Sequence, residues 1–194
     1  MTNVRSPLVV HFMLSGALIT GTVDLQEERR RLMDLLNGQA QLVLTSVEIT
    51  VYGVTGVKKL PTMTVSKDSI LVAIPRETDE QNRLRLMQRS MVGRTATMQA
   101  RVALLLPPLI VEGVAHGPGG AARLVQDPAI FSRFFSVTDA VITMADGVIQ
   151  DLPVAIVNRD AMAGMSLLAE VKPVDRPLRP PSEPGLLDRL IANS

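Results

Sequence analysis

The sequence predicts a mainly β protein with short helices, built as two tandem small five-stranded, partly open β-barrels related by pseudo-two-fold symmetry. Three observations point there. The chain resembles itself at an offset of 92 residues. Short apolar runs alternate with turn residues. The apolar 46% of the chain is almost wholly aliphatic, with no Trp, one Tyr (Tyr52) and four Phe (Phe12, Phe131, Phe134, Phe135). Aliphatic β-branched residues suit a pleated, half-buried surface.

The self-similarity runs in order along the chain. With Gly21 over Gly113, Ala17–Val23 matches Leu109–Ala115, and Arg31-Leu32 falls on Arg123-Leu124. One inserted residue then places Leu44–Thr50 over Val137–Thr143. The earlier offset returns with Leu60-Pro61 over Leu152-Pro153 and Val65–Asp68 over Val157–Asp160. The ordered set at nearly constant spacing implies a copied unit.

The copies give the elements. Leu8–Leu14 and Ala17–Leu25 read as a hairpin around Ser15-Gly16. Gln26–Asn37 carries Leu32, Leu35 and Leu36 at helical spacing, with Gly38 as the stop. Leu42–Tyr52 alternates as a strand, with Leu42, Leu44 and Ser46 on one face and Val43, Thr45 and Val47 on the other. Lys58–Val65 and Ile70–Ile74 complete the first unit, with a bend at Lys67-Asp68. In the second unit the strands are Gln99–Leu106, Leu109–Ala115, the end of Ala129–Thr143, Val148–Val157 and Met162–Val171. The turns are Pro107-Pro108 and Asp146-Gly147.

The expected organisation is a first repeat over 1–75, a helical connector over 76–97, a second repeat over 98–172, and a Pro-rich linker with a short amphipathic helix over 173–194. In the connector, Thr78 and Gln81 stand at capping-box spacing for a helix over 78–90. In the last segment, Leu186, Leu187, Leu190 and Ile191 form an apolar stripe for the chain's own surface or for a partner.

Composition narrows the functional classes. Twenty Lys and Arg against 19 Asp and Glu leave a formal net charge of +1, so no global field draws in nucleic acid or membrane. Cysteine is absent, which removes disulfides, thiolate zinc sites and thiol nucleophiles. The first residues lack the order of a signal peptide, and no apolar run approaches the roughly 20 residues of a membrane span. A cytoplasmic location without a membrane span is expected.

No catalytic constellation stands out. His11 and His116 lack patterned partners for a metal or a serine triad. No nucleophile-elbow motif is present. The carboxylates of Glu27, Glu28, Asp34, Asp79 and Glu80 read as solvated faces. No cofactor, metal or catalytic residue is assigned, and the chain is not expected to be an enzyme. Two weaker constellations remain. Arg29, Arg30, Arg31, Lys58 and Lys59 form a basic set suited to phosphates, without the aromatic platforms common in single-strand binders. Gly119, Gly120 and Arg123 could hold an anion on loop amides, although the loop lacks the ending of a phosphate loop.

The stretches Ile19–Val23, Arg31–Asn37 and Leu44–Ile49 resemble a poorly characterised bacterial family of small β-domains, the DUF6812-like domains. Their pattern is a strand with a Gly, an Arg-Leu-x-Asp-x-Leu-Asn helix and a Leu-Thr-Asp-Ala strand. The second copy keeps Gly113, Arg123-Leu124 and Val137–Ala140 but lacks the Asp-x-x-Asn pair, having Gln126 and Pro128 nearby. A looser, fold-level similarity is to Sm-like barrels. That similarity implies ring formation and RNA binding; the Asp34 and Asn37 pair is loosely like the pair before the third strand of those barrels, and on that ground Asn37 joins Arg29, Arg30, Arg31, Lys58 and Lys59 as a nucleic-acid-binding candidate.

The leading expectation is therefore a non-enzymatic assembly or scaffold protein, a homo-oligomer or the binder of a larger protein. Its motivation is aliphatic surface beyond what a small barrel buries alone. RNA or nucleotide binding through the Arg-rich surface is the alternative. Small-ligand sensing between the two repeats is the second.

Overall fold

The computed structural model describes residues 7–25, 32–38, 41–76, 98–117, 126–144 and 147–171. The helices expected over 78–90 and near the C-terminus lie outside these residues.

The first half contains β1 (Pro7–Met13), β2 (Ala17–Asp24), α1 (Leu32–Gly38), β3 (Gln41–Val51), β4 (Val57–Ser66) and β5 (Val72–Arg76). The second half contains β6 (Met98–Leu106), β7 (Leu109–Gly117), β8 (Phe134–Met144), β9 (Gly147–Asn158) and β10 (Gly164–Val171). Strand content dominates, and α1 is short, with Leu32, Leu35 and Leu36 buried.

The strands do not form two separate sheets. They make one open ten-stranded sheet in the order β10-β6-β7-β8-β9-β5-β1-β2-β3-β4, and every pairing is antiparallel. Each half contributes the same internal order, its fifth strand beside its first. β4 and β5 of the first half are not neighbours. β5 pairs instead with β9, through Val72↔Val157 and Ala73↔Ile156, and this one ladder makes the sheet continuous.

The sequence of β5 explains its central place. Ile70–Ile74 is an unbroken apolar run, the pattern of a strand buried on both faces. Val72 and Ile74 enter the core of the second half, while Ala73 enters that of the first. The exchange is mutual. Met13, Leu18 and Leu71 also belong to the second core, and Phe134 and Ile156 to the first.

Both halves bend at the same place. β2 and β3 shift register between Thr20 and Thr22, and β7 and β8 between Glu112 and Val114. Opposite each shift stands a non-glycine residue at positive φ, Ser46 at 51° and Asp139 at 49°. Such a bulge inserts one residue and flips the side-chain phase. That flip corrects the simple alternation expected for β3. Val47 is buried on the side of Leu42 and Leu44, and Ser46 is exposed. In β8 the same step carries burial from Val137 to Ala140 and Ile142.

The bulges also account for two glycines. A Cβ on Gly113 would stand 2.6 Å from Val137 Cγ1 and 2.8 Å from the Thr138 carbonyl oxygen. On Gly21 it would meet only the Leu44 side chain, at 3.1 Å or more. A rigid backbone oxygen cannot yield as a leucine side chain can, so the same added methyl strains the two halves unequally. Gly113→Ala should destabilise the protein by about 2 kcal/mol and Gly21→Ala by less than about 1 kcal/mol, in the range of core overpacking. Urea unfolding of the two variants measures the difference; an equal or reversed effect would contradict the bulge geometry.

Candidate functional site

The polar side chains with the most specific geometry gather where the halves meet. Asn37, at the end of α1, reaches across to the main chain of Phe134. Its Nδ2 donates to the Phe134 carbonyl at 2.9 Å and to the Met33 carbonyl at 3.0 Å. Its Oδ1 accepts from the Phe134 amide at 2.9 Å. Both amide hydrogens are thereby used, and Asn37 acts as a short side-chain substitute for a β-ladder step.

Asn158 is buried and ties the other side of the junction. Its Nδ2 donates to the Ile70 carbonyl at 2.8 Å, and its backbone amide donates to the Leu71 carbonyl at 3.0 Å. Its Oδ1 accepts from the Asp160 amide at 3.1 Å, capping the 3-10 turn Arg159–Ala161. In the first half Ser66 caps the corresponding turn Lys67–Ser69 through the Asp68 amide.

Charge completes the contact. Arg133 bridges Asp68 of the first half and Asp160 of the second, the latter at 3.4 Å, and its guanidinium lies 5.7 Å from the centre of the Phe134 ring. Lys67 is buried and donates from Nζ to the Leu36 carbonyl. Burial lowers its pKa, the nearby Arg133 cation lowers it further, and Asp68 opposes both. This network holds two halves together; nothing in it pairs a nucleophile with a base.

The basic set anticipated from the sequence is not assembled among the described residues. Arg29, Arg30 and Arg31 lie outside them. Asn37 is committed to the main chain. Lys58 and Lys59 are exposed on β4, and Lys59 forms an ion pair with Glu48 at 2.8 Å, which raises its pKa. Gly119, Gly120, Arg123, Leu186, Leu187, Leu190 and Ile191 also lie outside the described residues. The space between the halves is filled by core side chains. A shallow, open depression lies elsewhere, at the β3–β4 turn around Ile49, Val54 and Lys58.

Among the described residues no cluster of His, Asp and Glu suits a metal ion, and no helix is long and apolar enough to cross a membrane. Comparison with protein-family models, with curated proteins and with solved structures returns no match.

Sequence reading missed Asn158, Asp68 and Arg133 as a junction. A signal was present. Asp68 recurs as Asp160, whereas Ser66 stands where the second half has Asn158. Polar differences between otherwise matching halves mark the places where the halves do different jobs.

The ends of the sheet are the remaining feature. Among the described residues β4 and β10 each pair on one side only. Leu105, Ile110 and Leu168, on or beside the β10 end, are 44%, 42% and 47% exposed. Unpaired strand edges and neighbouring apolar side chains together form a surface ready for another strand.

One buried titratable group sits beside the junction. His11 Nδ1 and Thr20 Oγ1 are 2.7 Å apart inside the β1–β2 ladder. Burial, aided by the charge of Arg76, lowers the His11 pKa from 6.5 to about 4. The folded state thus holds His11 neutral where the unfolded chain takes up a proton, so stability falls as pH drops from about 6.5 towards 4. The full shift corresponds to about 3 kcal/mol. Urea unfolding between pH 7 and 4.5 should show this loss in the wild type and a much flatter profile in His11→Gln. Parallel profiles would contradict the assignment.

Proposed function

We propose that the chain is a non-enzymatic assembly module. In this reading a five-stranded unit, partly open in the manner of Sm-like barrels, was copied, and the pair forms a self-associating building block. Support for the copying comes from matched strand order, matched bulges at Gly21 and Gly113, and matched 3-10 turns after β4 and β9. The absence of an assembled catalytic or metal-holding group among the described residues leaves the sheet ends as the most developed feature.

One observation carries the reading: among the described residues the sheet is open at both ends, with β10 at one end and β4 at the other. A strand edge offers its unpaired amides and carbonyls to another chain, and natural folds usually blunt such edges. β4 is only partly blunted, by Lys58, Lys59 and Pro61. Pairing gives a geometry in which many copies can be added, because the two ends of one chain differ and a head-to-tail contact does not use itself up.

Size-exclusion chromatography with light scattering over a range of concentrations tests the reading. The expected result is a mass rising to a multiple of the 21.0 kDa chain, with or without residues 184–194. A monomer at every concentration would overturn it.

A further inference from the structure

Resting on that reading, we propose that the partner at the β10 edge is β4 of a second copy of this chain, added in the register that β9 uses on β5 within the chain, over the apolar patch of Leu105 and Ile110.

The two halves repeat one arrangement of three residues. In the first half Met13 pairs with Leu18 on one side and with Val72 on the other. In the second half Leu105 pairs with Ile110 on one side and with Gly164 on the other. Each member is 92 residues from its counterpart. The backbone agrees as well: the Leu71 amide donates to Met13 at 2.9 Å, and the Ala163 amide donates to Leu105 at 2.8 Å.

The surroundings differ in one respect. Met13 and Leu18 are 1% and 5% exposed because they belong to the core of the second half. Leu105 and Ile110 are 44% and 42% exposed. The second half therefore carries the same apolar trio site that the first half buries, with nothing over it among the described residues. What covers the first copy of the site is the half that ends in β9. The strand equivalent to β9 is β4, which is the other open end of the sheet.

The register follows from the junction already present. Val72↔Val157 and Ala73↔Ile156 become Gly164↔Val65 and Met165↔Thr64 between chains. Gly164 leaves room beside Leu105 that Val72 fills beside Met13. The polar clamps are not carried over. Ser66 replaces Asn158, and Ala129 and Ile130 stand near the position equivalent to Asn37. The contact between chains thus keeps the strand pairing and the apolar patch but lacks the side-chain ties, so it forms and dissolves with concentration while the intrachain junction does not. This asymmetry separates the permanent joint from the reversible one.

Disulfide trapping tests the register directly, because the natural chain has no cysteine. The Asn158 amide bonds the Leu71 carbonyl, which makes Val72 and Val157 a non-hydrogen-bonded pair, the closer of the two antiparallel types. Its equivalent between chains is within disulfide reach. Gly164→Cys in one preparation and Val65→Cys in another are mixed and mildly oxidised. The expected product is a disulfide heterodimer, with about tenfold less from Gly164→Cys mixed with Thr62→Cys. Leu105→Glu, at an exposed position, should raise the concentration needed for assembly about tenfold or more while leaving the far-ultraviolet circular dichroism unchanged. A chain that self-associates by light scattering but gives no disulfide between positions 65 and 164, and ignores Leu105→Glu, overturns this contact and leaves the assembly reading standing. A chain that stays monomeric at all concentrations overturns both.

Discussion

The β5·β9 ladder is the constraint on which the rest of the molecule depends. It contains only two paired positions, so its hydrogen bonds alone are a weak joint, each contributing about 1 kcal/mol net. Its strength comes from side chains. Met13, Leu18, Leu71, Val72 and Ile74 of the first half are buried in the core of the second. At about 1.5–3 kcal/mol for each fully buried aliphatic side chain, their gross contribution is on the order of 10 kcal/mol, comparable to the whole net stability of a typical domain. Exposing that surface would cost as much as unfolding. Burial on this scale predicts that the two halves unfold together, although their strand orders match.

A joint of this kind has direction. The first half offers its fifth strand and the outer face of its first hairpin; the second half offers its fourth strand and the face beside it. Each half therefore has one used end and one unused end. The polar residues follow the same division. Asn37, Asn158 and the Asp68–Arg133–Asp160 bridge all stand at the used ends. The two asparagines lack counterparts at the unused ends, where Ser66 stands for Asn158 and Ala129 and Ile130 lie near the position of Asn37. The hydrophobic skeleton is common to both halves, while the polar groups specify which contact is permanent.

Much of the strand layout was legible in the sequence, because hairpins, aliphatic alternation and turn residues are local signals. The offset of 92 residues placed Gly21 over Gly113, and the two sit at matching bulges. The phase of β3 was not legible. Ser46 adopts a positive φ, a conformation that nothing in a Ser-Val-Glu stretch announces, and it moves Val47 to the buried side. The joining of the halves into one sheet was hidden for a different reason. Ile70–Ile74 reads as a strand buried on both faces, but sequence does not say whose core lies on each face. Asn37 was picked out by family resemblance and Sm-like analogy as part of a phosphate-binding set. Its actual partner, the Phe134 main chain, is 97 residues away, beyond any local pattern.

Hydrogen exchange followed by mass spectrometry at increasing sub-denaturing urea tests the central claim, that the junction makes the halves a single cooperative unit. Protection around Val10–Phe12 of the first half and around Val137–Ile142 of the second should disappear at the same urea concentration. Asn158→Ala should lower both midpoints together. Loss of protection in one half while the other remains protected would contradict the account, since a half that survives alone does not depend on β5 lying against β9.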